Sequence, residues 1–79
     1  MEYRKKLEKN KRLVLTKVLT EEDVKNIGWI GELGDMSAFL HKAISGEMKH
    51  HLNKKQLKYN LSLIEDRLYE IEFSMGEDL

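Results

Sequence analysis

The sequence predicts a mostly α-helical chain with one short β-strand and an additional amphipathic helix at the C-terminal end. Three observations carry that expectation. Residues 11–19, Lys-Arg-Leu-Val-Leu-Thr-Lys-Val-Leu, alternate in the manner of a strand, with Leu13, Leu15 and Leu19 on one face. Residues 20–52 recur instead at three- and four-residue intervals, punctuated by glycine. Residues 53–75 hold the cleanest helical seam of all. A lone strand leaves its edges unpaired and open to another chain. The strand reading therefore implies pairing with a copy in a second subunit. The competing reading makes residues 11–19 the start of a helix.

Size and composition narrow the class. Seventy-nine residues bound one small domain, and folds of this size lean on a metal, disulfides or a partner subunit. The absence of cysteine excludes disulfides and thiolate metal sites and fits a reducing cytoplasm. No apolar run approaches the roughly 20 residues that span a bilayer, and no signal-peptide pattern is present. The expectation is a soluble, cytoplasmic protein without membrane contact. Formal net charge is zero, but its distribution is uneven. Residues 1–19 carry Arg4, Lys5, Lys6, Lys9, Lys11, Arg12 and Lys17 against Glu2 and Glu8, a net of +5, so the remainder carries −5. A basic N-terminal arm of this kind is a common means of meeting phosphates, with a solvated tail as the alternative.

Taken in order, residues 1–10 read as a flexible basic arm, with Tyr3, Leu7 and Asn10 able to line one weak helical face. Residues 11–19 follow as the strand, its outward face Arg12, Val14, Thr16 and Val18, its leucine face interrupted by Lys17. Thr20 with Glu21, Glu22 and Asp23 is a helix start, a capping hydroxyl followed by acids that complement the positive helix end. Val24, Ile27, Ile30 and Leu33 form its apolar stripe, and Trp29 reads as packing. Gly28 and Gly31 inside it mark either a close approach of another backbone or a break, and Gly34 suits a left-handed stop.

Asp35 is placed to cap a second helix over residues 36–52, with Leu40, Ala43, Ile44 and Met48 buried and Met36 and Phe39 at the edge. The last helix covers residues 53–75. Its seam, Leu57, Leu61, Ile64, Leu68, Ile71 and Met75, is spaced 4, 3, 4, 3, 4 and marks an oligomerisation face. Lys54, Lys55 and Lys58 lie early, and Glu65, Asp66, Glu70 and Glu72 late, which suits an antiparallel copy. The alternative packs the same stripe on the domain's own core. Residues 76–79 form a tail. The domain reading is thus arm 1–10, central unit 11–52, heptad helix 53–75 and tail 76–79.

Two stretches carry a family resemblance. Residues 11–16, Lys-Arg-Leu-Val-Leu-Thr, look like the alternating strand of the ribbon-helix-helix DNA-binding family, the Arc/MetJ/CopG-like proteins. Residues 34–44, Gly-Asp-Met-Ser-Ala-Phe-Leu-His-Lys-Ala-Ile, resemble that family's second helix. The resemblance spans about residues 11–50 and leaves the last helix outside it. It implies a ribbon-helix-helix dimer, in which two chains pair their strands into an antiparallel two-stranded ribbon that enters the major groove. Carried over, Arg12, Val14 and Thr16 contact bases. Met36 and Ser37, at the start of the second helix, hold a phosphate together with Lys9, Lys11 and Lys17.

What the resemblance implies is a sequence-specific double-stranded DNA-binding protein, a small repressor or regulator of plasmid, phage or toxin–antitoxin type. A plasmid-transfer (relaxosome) accessory protein is the neighbouring alternative. An all-helical protein-interaction module without DNA binding is the alternative from another class. The expected partners are duplex DNA and a second copy, with a tetramer or a protein partner served by the last helix. His41, His50 and His51 with Glu47 offer only one or two ligands on any one helix face, so no metal is expected. No nucleophile with a placed base and no phosphate-binding loop is legible, so neither an enzyme nor a cofactor is expected.

Overall fold

Residues 2–28 and 30–77 are described by a computed structural model. The reading of Trp29 as packing, that of the Met75 side chain as part of a seam, and residues 78–79 of the tail lie outside what is described. Among the described residues there are four helices and no strand: α1 (Glu2–Thr16), α2 (Glu21–Ile27), α3 (Ile30–Ile44) and α4 (Lys54–Glu77). The expected β-strand and intersubunit ribbon are therefore overturned, and with them the ribbon-helix-helix architecture.

The reason lies in the register of α1. Leu7, Asn10 and Val14 turn inward at spacings of three and four, so the weak face begun by Tyr3 and Leu7 continues straight through the alternating segment. A helix satisfies its backbone groups within its own segment, whereas a lone strand needs a partner. Lysine, arginine, leucine and glutamate, which dominate residues 2–16, all favour the helix. The arm expected to be flexible is thus the first half of an ordered helix. Val14, expected on an outward face, is fully buried, and Leu13, expected inward, is only half-buried.

Helix α1 ends on a distant side chain. Asn60, fully buried in α4, donates through Nδ2 to the carbonyl oxygens of Val14 (2.9 Å) and Lys17 (2.8 Å). Its Oδ1 accepts from the backbone N–H of Leu19 at 2.8 Å. Carbonyls left over at the end of α1 and an amide of the following turn are satisfied together, which fixes where the helix stops.

The start of α2 is as the sequence suggests. Thr20 is the N-cap, its hydroxyl accepting from Asp23 N–H (3.2 Å) while Asp23 Oδ2 accepts from Thr20 N–H (3.0 Å), a reciprocal capping box. Lys17 donates to the same carboxylate oxygen at 2.8 Å. The helix expected over residues 20–33 is broken, because Gly28 adopts φ +95° and closes α2 after Ile27.

Helix α3 then runs through Gly34 and Asp35, which are neither stop nor cap. Its end falls at Gly46, with φ +87°. Glu47 N–H donates to Lys42 C=O (2.9 Å) and Gly46 N–H to Ala43 C=O (3.1 Å), the paired bonds of a Schellman stop. The second helix therefore ends eight residues before the expected Leu52. Asn53 and Gln56 form the capping box of α4, each side chain accepting from the other's backbone N–H at 2.9 and 3.0 Å. Helix α4 continues past Met75 to Glu77, through Gly76.

Packing is dominated by α3 against α4, with α1 laid mainly on α3. Val14, Leu33, Met36, Leu40, Leu57 and Ile64 are completely buried in one core. A lysine–carboxylate pair joins α1 to α3, Lys6 Nζ to the buried Glu32 at 3.1 Å. Nearby, the Tyr3 hydroxyl donates to Asp35 at 2.6 Å. Farther along, Lys11 Nζ lies 5.0 Å from the centre of the Phe39 ring. None of the helices, among the described residues, is long and apolar enough to cross a membrane.

Candidate nucleic-acid interface

Burying Leu7, Asn10 and Val14 turns the opposite face of α1 to solvent. Arg4, Lys5, Glu8, Lys9, Arg12 and Thr16 are all exposed there, at the intervals that stack side chains along one side of a helix. They border a shallow groove whose floor includes the half-buried Leu13. A second groove shares Glu8, Arg12 and Thr16 and is closed on its other side by residues 46–51, bringing Lys49, His50 and His51 to the edge of the first. That loop is tied to α1 through His51 N–H, which donates to Leu15 C=O at 3.1 Å.

Not every cation of the N-terminal segment is available. Lys6 is held by Glu32 and Lys17 by Asp23. Hydrogen bonds from Lys17 and then from the Thr20 backbone hold the Asp23 carboxyl below its ordinary range. The hydrogen bond to Asp35 pushes the Tyr3 phenol up, because the carboxylate accepts the proton that ionisation would remove. Among the described residues, Arg4, Lys5, Lys9 and Arg12 make no ion pair, leaving four cations on one exposed helix face with Glu8 as the single carboxylate between them.

The expected site residues separate accordingly. Arg12 and Thr16 are exposed together, with the Thr16 hydroxyl donating to Arg12 C=O at 2.6 Å, while Val14 between them is in the core. Lys9 shares their face, Lys11 is half-buried over Phe39, and Lys17 is turned to Asp23. Met36 is fully buried, and Met36 and Ser37 lie well inside α3, where backbone N–H groups are used by the helix itself. The expected phosphate site at a helix start is therefore absent at those positions. In the expected oligomerisation seam, Leu57, Leu61 and Ile64 pack in the chain's own core, and Leu68 and Ile71 are half-buried.

Arg4 and Lys5 were expected as part of a flexible basic arm meeting phosphates, not on an ordered face, and the loop of residues 46–51 was not expected at the site. The signal for the first two was the continuity of the Tyr3, Leu7, Asn10 face into Val14, which turns the arginine and lysines outward as a set. His50 Nδ1 lies 2.6 Å from Leu52 C=O, and His41 Nε2 lies 3.8 Å from Glu65. Among the described residues, no three His, Asp or Glu side chains converge as a metal site. Comparison of the chain with protein-family models, with curated proteins and with solved structures finds no match.

Proposed function

We propose that the protein binds double-stranded DNA through the outer face of α1. The observation that carries this reading is the set of four cations, Arg4, Lys5, Lys9 and Arg12, on one exposed helix face, none of them in an ion pair among the described residues. The neighbouring groove extends that face to Lys49, His50 and His51. Cations spaced along one helix meet successive phosphates and release condensed counterions, which makes binding favourable without a net positive chain. The B-DNA major groove admits an α-helix, and with α1 lying in it Arg12 and Thr16 are the side chains of this face suited to base edges. A regulator's role at an operator requires that discrimination, and the phosphate contacts alone do not supply it.

Fluorescence anisotropy with a random-sequence duplex tests the reading. Binding at about 50 mM salt should weaken steeply toward about 200 mM. Replacing Arg4, Lys5, Lys9 and Arg12 together by alanine should lower the salt slope by about 3 to 4. No duplex binding at the lower salt, or a slope untouched by the replacement, would overturn it.

A further inference from the structure

Helix α4 carries a second seam, on the side away from the core. Lys55, Tyr59, Ser62, Asp66, Tyr69 and Phe73 are all exposed and recur at intervals of 4, 3, 4, 3, 4. Three aromatics lie on it, Tyr59 at 50 % exposure, Phe73 at 58 % and Tyr69 at 70 %. Tyr69 and Phe73 stack on each other with ring centres 6.4 Å apart. Large aromatics this open on one helix face are unusual for a surface in contact with water alone.

From this seam we infer that the outer face of α4 docks against the same face of a second copy, running antiparallel. The argument is the symmetry of its chemistry about residue 64. Tyr59 and Tyr69 are equidistant from that position, as are Ser62 and Asp66, and Lys55 and Phe73, while Lys58 and Glu72, each directly before a seam aromatic, flank the seam on one side at nearly mirrored levels. A two-fold axis at the level of residue 64 therefore satisfies four complementary contacts at once, and each occurs twice. Lys58 meets Glu72 of the second copy, which lies on the same flank of the seam, and Lys55 meets a Phe73 ring. Ser62 offers a hydroxyl to the Asp66 carboxylate, and Tyr59 faces Tyr69.

A parallel alignment instead sets Lys54, Lys55 and Lys58 against themselves and Glu65, Asp66, Glu70 and Glu72 against themselves, which is repulsive. The 24 residues of α4 give a strip about 36 Å long. An interface of that width is small, so the dimer is weak, with a dissociation constant on the order of 10 to 100 μM. The inference does not depend on DNA binding, because α1 is not part of this face.

Sedimentation equilibrium of the full chain without DNA, over a concentration series reaching about 1 mM, tests it, with circular dichroism to verify that each variant is folded. Lys58→Glu and Glu72→Lys are each expected to weaken the dimer by about tenfold, since every reversal acts twice, and the double variant to restore it to within about threefold. Fourteen residues separate these positions in one chain, so rescue reports a contact between chains. Tyr59→Ser combined with Tyr69→Ser should leave a monomer. A folded chain that stays monomeric throughout the series overturns the inference, as does a dimer insensitive to the reversals or one that the double variant fails to restore.

Discussion

Asn60 makes more consequential contacts than any other polar side chain described. Its three hydrogen bonds, those with Val14 and Leu19 buried and that with Lys17 partly so, reach across more than forty residues of sequence to the end of α1. Asn60→Ala should cost about 3 kcal/mol in urea unfolding, because one amide and two carbonyls lose partners where water is excluded. Asn60→Asp should cost more, since a carboxylate cannot donate to Val14 and Lys17 carbonyls.

Asp23 supplies a pH dependence of known sign. Its carboxyl titrates below its ordinary 3.8 in the folded chain, so between those values the unfolded state holds more protons. The stability contributed by the Lys17 and Thr20 contacts is present above 3.8 and is lost as pH falls through the lowered value. The melting-temperature difference between the parent and Asp23→Asn should accordingly shrink as pH drops below 3.8.

Among the elements, α3 is where sequence and structure part most usefully. Gly34 reads as a helix stop, yet it lies inside α3, exposed, with open space where a Cβ would stand. Gly34→Ala should raise stability by about 0.5 to 1 kcal/mol, whereas at a true stop it would lower it. Gly28→Ala is the control of opposite sign, expected to cost about 1 to 3 kcal/mol at φ +95°. Thermal unfolding of the two variants separates the cases.

The start of α2 and the long α4 were legible, because Thr20 with Asp23 is a local device and α4 repeats its period through several turns. Residues 11–19 were not. Over nine residues Leu13, Leu15 and Leu19 satisfy a two-residue period while Val14 and its predecessors satisfy a helical one. The contact that ends α1 comes from Asn60, which no local pattern reveals. Asn53 and Gln56 carry a capping signal, masked in the sequence by the continuous helical period of residues 36–52. The site was legible as charge and misplaced as geometry. Arg12, Thr16 and Lys9 do share a surface, but Val14, Met36 and Ser37 belong to the interior.

At the scale of the whole molecule, charge is sorted rather than mixed. Exposed cations line the outside of α1, while α2 begins with Glu21, Glu22 and Asp23 and the second half of α4 is acidic. Burial is sorted too. The core runs along α4 from Leu57 to Ile64 and gives way to half-buried Leu68 and Ile71. Amide hydrogen exchange in dilute solution should therefore be slowest over residues 57–64 and fastest beyond residue 71, since protection follows buried apolar contact.

The long reach of Asn60 has a consequence for how the chain is made. Synthesis runs from the N-terminus, so α1 is translated well before residue 60 exists. Until α4 emerges, the carbonyls of Val14 and Lys17 have only water, and the inward face of α1 lacks most of the core it packs on. An isolated helix of 15 residues is marginal in water. The basic helix is thus translated before the helix that secures it, so a chain halted before residue 60 should carry its cations on an unfixed segment.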